Sequence, residues 1–260
     1  MNQISKGSQT GHDSKQVALV TGAAQGLGKA IAQSLFNAGF AVVITDANEA
    51  GAVATAREID ATAERVLALK LDVLLKTDFE AALQASIERF GQVSALVNNA
   101  AMTPTTPVME ITPEEFDKVV SVNLRGTFFG CQVFGQYFAD NGYGRIVNMA
   151  SLAGQNGGTA SGAHYASTKG AILTMTKIFA RQLAESKVTV NAVAPGPMDL
   201  PSVRELVPAE RLEQIINDMI PVKELGNADF VADMVTKLAG PDASFVTGAA
   251  WDINGGIFMR

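Results

Sequence analysis

The feature that most constrains the fold is a glycine-rich turn between an apolar strand and a helix, close to the start of the chain. Residues 17–20 read VALV, residues 21–28 read TGAAQGLG, and apolar residues at helical spacing follow as far as Gly39. Glycines in such a turn let the backbone approach a pyrophosphate, which then lies at the N-terminus of the helix. The spacing G-x-x-x-G-x-G is weak evidence alone, because small-residue turns also serve packing.

Short apolar runs alternate with helical patterns along the rest of the chain. They predict strands at residues 17–20, 41–45, 66–71, 95–97, 146–149, 188–193 and 249–253. Near-continuous apolar strands separated by helices indicate a parallel sheet that is covered on both faces. The predicted fold class is therefore α/β, with three layers.

The chain shows no internal repeat and no linker, so residues 16–260 are predicted to form a single domain. Residues 1–15 are polar and lack the apolar stretch of a signal peptide, which is typical of a flexible N-terminal tail. Residues 198–221 mix three prolines with charged and apolar residues. This segment is interpreted as a small helical lid over the substrate site.

Composition limits the partners and the location. A net charge of −6 disfavours nucleic acid and anionic membranes as partners. No segment reaches the roughly 18 uninterrupted apolar residues of a membrane helix. The single cysteine, Cys131, cannot form an intramolecular disulfide, which fits a cytoplasmic protein, and is predicted to be a small buried residue. No metal-ligand cluster is visible, so no metal is expected.

An acidic residue ends the second predicted strand. Asp46 lies 18 positions after Gly28, where a carboxylate accepts hydrogen bonds from the adenosine ribose and repels a 2′-phosphate. No Arg or Lys lies in the turn or directly after Asp46. The expected cofactor is therefore NAD and not NADP.

Tyr165 and Lys169 are four residues apart, so on a helix they share one face. A nearby ammonium and a positive nicotinamide ring favour the phenolate and lower the pKa of a tyrosine, which suits it for proton transfer. Ser151 ends a predicted strand, at the edge where parallel sheets bind ligands. His164 is expected to point to another helix face, so a Ser-His hydrolase is not indicated.

Asn123 lies inside an otherwise apolar helical run, residues 116–138. A polar side chain there needs a hydrogen-bond partner, such as the backbone of a locally opened helix turn or a water. The run is preceded by Thr112-Pro113-Glu114-Glu115, the pattern of a capping box with proline at the first helical position.

Together these residues resemble the classical short-chain dehydrogenase/reductase family, with an overall pattern similar to its 3-oxoacyl-acyl-carrier-protein reductases. The resemblance runs from Val17 to the C-terminus. Its motifs occur in the expected order: Thr21-Gly22-x-x-x-Gly26-x-Gly28, Asp72-Val73, Asn98-Asn99-Ala100-Ala101, Asn123, Ser151, Tyr165-x-x-x-Lys169, Asn191-x-x-x-Pro195-Gly196 and Asp252-x-x-Gly255-Gly256.

The resemblance implies a doubly wound parallel sheet, the Rossmann fold, and a catalytic tetrad. Tyr165 would give or take the proton and Ser151 would orient the substrate oxygen. Lys169 would hold the nicotinamide ribose and lower the tyrosine pKa, and Asn123 would anchor a water in a proton relay. The implied substrate is a small secondary alcohol or its ketone.

The resemblance also implies the cofactor contacts and the assembly. Asp72 and Val73 would flank the adenine, and the helices around residues 113–138 and 165–185 would pack between subunits of a homotetramer. The full set of expected NAD-binding residues is Gly22, Gln25, Gly26, Leu27, Gly28, Asp46, Asp72, Val73, Asn99, Ala100, Tyr165, Lys169, Pro195, Gly196 and Met198.

Two positions depart from the family pattern. Ala101 replaces the usual glycine after Asn-Asn-Ala, and this extra methyl group is expected to be tolerated. Leu200 stands where many relatives have a threonine that contacts the nicotinamide carboxamide, which puts the detailed anchoring of the nicotinamide in doubt.

Two other functions stay open. One is an NADPH-dependent 3-oxoacyl-acyl-carrier-protein reductase-like enzyme, which Gln25 and Asp46 argue against because those enzymes carry basic residues near the turn. The other is a non-catalytic NAD-binding regulatory protein, which the intact tetrad argues against. Arg204 is a candidate for contacting a substrate carboxylate, although an exposed helical arginine is the simpler interpretation.

Overall fold

A seven-stranded parallel sheet forms the centre of the computed structural model, which describes residues 16–158 and 162–260. The strand order is β3-β2-β1-β4-β5-β6-β7, and every neighbouring pair is parallel. The strands are β1 (Val17–Thr21), β2 (Ala41–Asp46), β3 (Val66–Lys70), β4 (Ala95–Asn98), β5 (Gly144–Met149), β6 (Val188–Pro195) and β7 (Ala250–Ile253). The doubly wound α/β fold is confirmed, and all predicted strands are present with ends within two residues of the prediction.

Helices connect the strands and cover both faces of the sheet. They are α1 (Gly26–Asn37), α2 (Glu49–Ile59), α3 (Lys76–Phe90), α4 (Pro113–Val120), α5 (Gly126–Asn141), α6 (Ala153–Asn156), α7 (Ala163–Leu183), α8 (Pro201–Leu206), α9 (Ala209–Gln214) and α10 (Ala228–Ala239). Single π-helical stretches follow α4 (Ser121–Arg125) and α9 (Ile215–Met219), and short 3-10 turns lie at Val108–Glu110, Ala184–Ser186 and Pro241–Phe245.

The core has two layers because successive strand residues point to opposite faces of the sheet. In β1, Ala18 and Val20 pack with α1, α2 and α10, whereas Val17 and Leu19 pack with α3, α5 and α7. All residues of β1 are buried, which explains why it reads as a continuous apolar run and not as an alternating one. Cys131 is buried in the second layer, as predicted, and burial raises the pKa of its thiol to about 12.

The order of the strands places a crevice above the sheet. The chain runs outward from β1 to β2 and β3 on one side, and then returns to β4 on the other side of β1. At this switch point the loops after β1 and β4 leave in opposite directions, which opens a crevice at the carboxyl ends of the strands. The motifs predicted to bind the cofactor lie on these loops.

The start of α4 corrects one detail of the sequence analysis. The Thr112 hydroxyl accepts a hydrogen bond from the Glu115 amide at 3.2 Å, and Pro113 is the first helical residue, as predicted. The Glu115 carboxylate does not return to the Thr112 backbone, as a full capping box requires. It bonds Thr106 and His164 instead.

Residues 198–221 form α8, α9 and a π-helical stretch, with no strand. The predicted tail, residues 1–15, lies outside the described residues. Among the helices that the structure describes, none is both long enough and apolar enough to cross a bilayer.

Candidate active site

The glycine-rich turn after β1 has the conformation that its sequence predicts. Gly22 and Gly26 have φ of +63° and +57°, a region that side-chain-bearing residues rarely adopt. A Cβ on Gly28 would lie 2.1 Å from the Gly22 carbonyl oxygen, so this position admits only glycine. The turn and the start of α1 are therefore in close contact at Gly22 and Gly28.

The N-terminus of α1 is open toward the crevice. Gln25 precedes the helix without a side-chain cap, and the first turn has no acidic residue. A Cβ built on Gly26 meets no protein atom within 4 Å. Free amide groups at a helix N-terminus, with open space before them, are the arrangement that binds a phosphate. The turn therefore fits the pyrophosphate of a dinucleotide.

Asp46 stands at the end of β2 beside this turn. Its two carboxylate oxygens accept hydrogen bonds from the Ala24 amide at 3.1 Å and from the Asn48 amide at 2.9 Å. These bonds fix the carboxylate at the edge of the crevice, and each oxygen retains a free lone pair. The carboxylate is thus held ready to accept further hydrogen bonds from a ligand.

One cavity of about 620 Å³ brings most of the predicted residues together. Every expected NAD-binding residue lines it, and so do Ser151 and both departures from the family pattern, Ala101 and Leu200. The complete lining is Gly22, Gln25, Gly26, Leu27, Gly28, Asp46, Ala47, Leu71, Asp72, Val73, Asn99, Ala100, Ala101, Met102, Thr103, Val122, Met149, Ala150, Ser151, Tyr165, Lys169, Pro195, Gly196, Met198 and Leu200.

Thr21 and Asn99 join the two loops at the switch point. The Thr21 hydroxyl accepts from the amides of Asn99 and Ala100 at 3.0 and 3.1 Å. The Asn99 side chain donates to the carbonyls of Thr21 and Gly22, both at 3.0 Å. The Asn-Asn-Ala motif after β4 therefore holds the glycine-rich turn in place.

Asp72 and Val73 lie on the neighbouring loop, after β3. The Asp72 carboxylate accepts from the Leu74 amide at 3.0 Å, which closes a tight turn. Val73 is held against α5, where a Cβ on Gly126 would come within 2.9 Å of it. Both residues line the same end of the cavity as Asp46.

The Ser-Tyr-Lys set lies at the opposite end of the cavity. Ser151 follows β5, and its hydroxyl accepts from the Ala153 amide at 3.1 Å. Tyr165 and Lys169 are on the first turns of α7, as their spacing predicts. The Lys169 ammonium is buried, donates to the Met149 carbonyl at 2.6 Å and lies 5.6 Å from the centre of the Tyr165 ring.

The pKa values at this end are governed by burial. Burial lowers the pKa of Lys169 to about 8. Burial also raises the pKa of Tyr165, while hydrogen bonds with the Ser151 and Thr103 side chains act in the opposite direction. The chain by itself does not give the expected low tyrosine pKa, because desolvation outweighs these bonds. A lowered pKa therefore stays a prediction for the enzyme with an oxidised nicotinamide bound.

Asn123 lies behind the cavity and does not line it. It is fully buried in the π-helical stretch after α4, which is the locally opened helix turn that the sequence suggests. Its side-chain oxygen accepts from the Met102 amide at 2.8 Å. Its side-chain nitrogen donates to the Met102 carbonyl at 2.9 Å and to the Thr168 hydroxyl at 3.2 Å.

The loop after β6 forms the remaining wall. A Cβ on Gly196 would lie 2.8 Å from the Asn254 backbone, so this loop passes close to the C-terminal segment. Met198 and Leu200 line the cavity just before α8. Arg204, on α8, is exposed and forms a two-pronged ion pair with Asp199 at 2.5 and 2.7 Å, which agrees with the simpler interpretation of that arginine.

Thr103 is a site residue that the sequence analysis missed. It lines the cavity together with Tyr165, and its hydroxyl opposes the effect of burial on the pKa of the phenol. The signal was present in the sequence, since Thr103 is the first polar side chain after the Asn-Asn-Ala-Ala motif, on a loop that leaves the carboxyl end of a strand. Loop residues carry no periodic pattern, so nothing indicated where its hydroxyl points.

Comparison with known proteins identifies the family. A family model described as enoyl-(acyl carrier protein) reductase matches residues 22–257, which is nearly the whole described chain. Curated relatives match over almost their full lengths.

The chain belongs to the short-chain dehydrogenase/reductase family. It is 40% identical over 244 residues to the 2-(R)-hydroxypropyl-CoM dehydrogenase of Xanthobacter autotrophicus, an alignment that covers 92% of this chain and 97% of the relative. It is 33% identical over 265 residues to the (S)-acetoin-forming diacetyl reductase of Staphylococcus epidermidis, covering 94% and 99%. It is also 35% identical over 244 residues to a 3-oxoacyl-[acyl-carrier-protein] reductase of Vibrio cholerae, covering 94% and 98%.

These relatives confirm the family resemblance that the motifs indicate. Short-chain dehydrogenases/reductases are oxidoreductases that bind nicotinamide cofactors, and the relatives named here act on alcohols or ketones. The substrates in their names differ widely, so the family by itself does not name a substrate for this chain.

Proposed function

We propose that this short-chain dehydrogenase/reductase interconverts a small secondary alcohol and its ketone by hydride transfer, with NAD as the cofactor. One observation carries the proposal. A single cavity has an open helix N-terminus with Asp46 at one end, and Ser151, Tyr165 and Lys169 at the other. A dinucleotide bound along this cavity brings its reactive ring toward Tyr165.

Each polar side chain at the reacting end has its own role in the reaction. The Tyr165 phenol takes a proton from the alcohol during oxidation and returns one to the carbonyl oxygen during reduction. The Ser151 hydroxyl holds the same oxygen, since both groups line the same end of the cavity. A bound nicotinamide supplies the hydride acceptor or donor, and the Lys169 ammonium binds its ribose.

Asn123 is proposed to anchor a water in a proton relay through its backbone carbonyl. Its side chain is already committed to Met102 and Thr168. The Asn123 carbonyl accepts from the Thr127 hydroxyl at 2.7 Å, and a carbonyl oxygen has a second lone pair. A water at this carbonyl would link the buried Lys169 to solvent.

Cofactor choice depends on charge at the adenosine end. Asp46 and Asp72 line that end, and among the described lining residues Lys169 is the one cation, at the opposite end. We expect wild-type protein to use NAD at least ~100-fold more efficiently than NADP. Asp46→Asn should reduce this preference by ~10- to 100-fold, the value of one or two charge-assisted hydrogen bonds.

Initial rates with both cofactors at 340 nm measure this preference. Asp72→Asn is the matched control, because it removes the same charge from the cavity while leaving the ribose position unchanged. Its preference for NAD should stay within about threefold of wild type. A wild-type protein that prefers NADPH contradicts the assignment and favours a 3-oxoacyl-acyl-carrier-protein reductase-like enzyme.

The reacting end favours an uncharged substrate. The residues near Ser151 and Tyr165 that line it are Met102, Thr103, Met198 and Leu200. The nearest arginine on α8, Arg204, is neutralised by Asp199. A carboxylate, phosphate or sulfonate on the substrate would lose its hydration at this end, where the one cation among the described lining residues, Lys169, is buried and is assigned to the cofactor ribose.

The function is tested with matched substrate pairs. We expect NAD-dependent turnover of methyl 3-hydroxybutyrate and of simple secondary alcohols, with kcat/KM at least ~10-fold above that of 3-hydroxybutyrate itself. Equal or better turnover of the anion contradicts the uncharged-substrate assignment only. Absence of turnover across neutral and anionic alcohols and ketones, despite NAD binding in calorimetry, contradicts the enzymatic function.

We further propose a cytoplasmic homotetramer. Phe116, Phe128 and Ile178, on α4, α5 and α7, are 46%, 40% and 60% exposed, and apolar side chains on adjacent helices form a surface suited to self-association. Light scattering of the purified protein measures the mass directly, and about four times 27.3 kDa is expected.

A further inference from the structure

The loop between β4 and α4 passes directly over the reacting end of the cavity, and it is held at two points. At the first point, the Asn123 side chain bonds both the amide and the carbonyl of Met102. A side chain that satisfies both backbone groups of one residue fixes the position and the direction of the chain there. The loop is therefore anchored just before Thr103.

The second point lies a few residues further on. The Thr106 hydroxyl donates to the Glu115 carboxylate at 2.6 Å, and the same oxygen is 3.1 Å from the His164 ring nitrogen Nε2. The Pro104 carbonyl also accepts from the Gly162 amide at 2.9 Å, which joins the loop to the start of α7. Glu115 thus connects α4, α7 and the loop at a single oxygen atom.

The geometry around His164 makes this connection hard to replace. The His164 side chain is fully buried, so water cannot substitute for the Glu115 oxygen. His164 directly precedes Tyr165 on the first turn of α7. The bonds to the Glu115 carboxylate, from Thr106 and then from His164, lower the pKa of Glu115.

Thr103 lies between the two anchored points. Thr103 and Tyr165 both line the reacting end of the cavity. The Thr103 hydroxyl, like that of Ser151, opposes the effect of burial on the pKa of Tyr165. Thr103 itself is exposed to the cavity. Its position relative to Tyr165 depends on the two anchored points on either side.

We propose that Glu115 and His164 are positioning residues of the active site. They join the loop that carries Met102 and Thr103 to the start of α7, and so fix this wall of the cavity relative to Tyr165. This inference rests on the proposed function, because it concerns the group that transfers the proton. It adds a role for two residues that touch neither the cavity nor the reacting atoms.

Four variants separate positioning from simple stability. Glu115→Ala removes the shared acceptor, and Glu115→Gln restores an uncharged oxygen at the same place. Thr112→Ala is the matched control, since it destabilises the start of α4 by removing its cap while leaving Thr106 and His164 with their partner. Thr106→Val is a milder second variant that removes one hydroxyl and keeps the side-chain shape.

Kinetics with a neutral alcohol and NAD give the readout. We expect Glu115→Ala to lower kcat/KM for the alcohol by ~10- to 100-fold, with the KM for NAD within twofold of wild type. The ascending limb of its pH profile of kcat/KM for alcohol oxidation should move to higher pH by about 0.5 to 1 unit, because the phenolate loses a hydrogen bond. Replacing Thr103 itself with valine should give the same shift. The groups facing Tyr165 in this titration are Lys169 from its own helix, Ser151 after β5 and Thr103 from the loop.

The remaining variants decide the outcome. The kcat/KM of Glu115→Gln for the alcohol should stay within about threefold of wild type. Thr106→Val should raise the substrate KM severalfold. Thr112→Ala should lose thermal stability but keep the kcat/KM of wild type. The proposal is overturned if Glu115→Ala matches Thr112→Ala in kcat/KM and pH profile, or if Glu115→Gln is as impaired as Glu115→Ala. An inactive wild type would instead refute the proposed function.

Discussion

Replacing Tyr165 with phenylalanine should lower kcat by at least ~10³-fold in both directions while leaving NAD bound. The phenol lines the reacting end of the cavity together with Ser151 and Thr103. Without it, the proton-transfer group of the proposed mechanism is missing, and general acid–base catalysis contributes factors of this size. The phenylalanine ring fills almost the same volume, so the fold should be unaffected.

The pH dependence of the wild type has a defined sign. Burial raises the pKa of Tyr165, so the phenol is protonated at neutral pH in the described state. Alcohol oxidation needs the phenolate, so its kcat/KM should rise with pH until the phenol has ionised. Ketone reduction needs the protonated phenol, so its kcat/KM should fall over the same range.

Steady-state kinetics across pH, with calorimetry of NAD binding, test both statements. The Kd of Tyr165→Phe for NAD should stay within about threefold of wild type, and its residual kcat/KM should no longer rise or fall with pH in this way. If the variant retains substantial turnover, the proton is carried by another group and the proposed mechanism is wrong. If it loses turnover but keeps a biological role, the non-catalytic NAD-binding function gains weight.

Replacing Gly26 with alanine should abolish cofactor binding for a reason that is separate from backbone strain. Gly26 has φ of +57°, lines the cavity at the start of α1, and has no protein atom within 4 Å of a built Cβ. The added methyl group would stand in the space where the backbone has to approach a pyrophosphate. We expect the Kd for NAD to rise ~100-fold or more.

Gly142→Ala is the matched control for this variant. Gly142 has φ of +68° and equally open surroundings, but it lies at the C-terminal end of α5, away from the cavity. Both variants should lose about 1–2 kcal/mol of stability, because alanine is strained in the left-handed region. Only Gly26→Ala should lose NAD in calorimetry. Equal loss of NAD binding in both variants would show that general destabilisation, and not a blocked phosphate site, is responsible.

Much of the fold follows from patterns that are local in the sequence. Continuous apolar runs predict buried parallel strands, because each strand residue meets a helix on one face or the other. The turn at residues 21–28 is equally local, since glycine is the residue that tolerates its φ values and its contacts. The positions of Asp46 and Tyr165 follow once the strand ends and the start of α7 are placed.

Other properties required the tertiary structure, because they depend on groups that are distant along the chain. The sequence pattern assigns the Glu115 carboxylate to a capping box. In the structure this carboxylate instead bonds the loop hydroxyl of Thr106 and the buried imidazole of His164, which lies 49 residues further along the chain. The tyrosine pKa likewise depends on how deeply the phenol is buried, which no local pattern reports.

The sequence by itself thus determined the α/β fold, because this follows from periodicity and from glycine geometry, and its motifs indicated the family, whose pattern implied the residues that meet in the cavity. Only the tertiary structure decided that Asn123 lies behind the cavity and that Thr103 faces Tyr165. Side-chain direction in a loop is set by the bonds at its ends, and those bonds are made to helices that the local sequence does not contain.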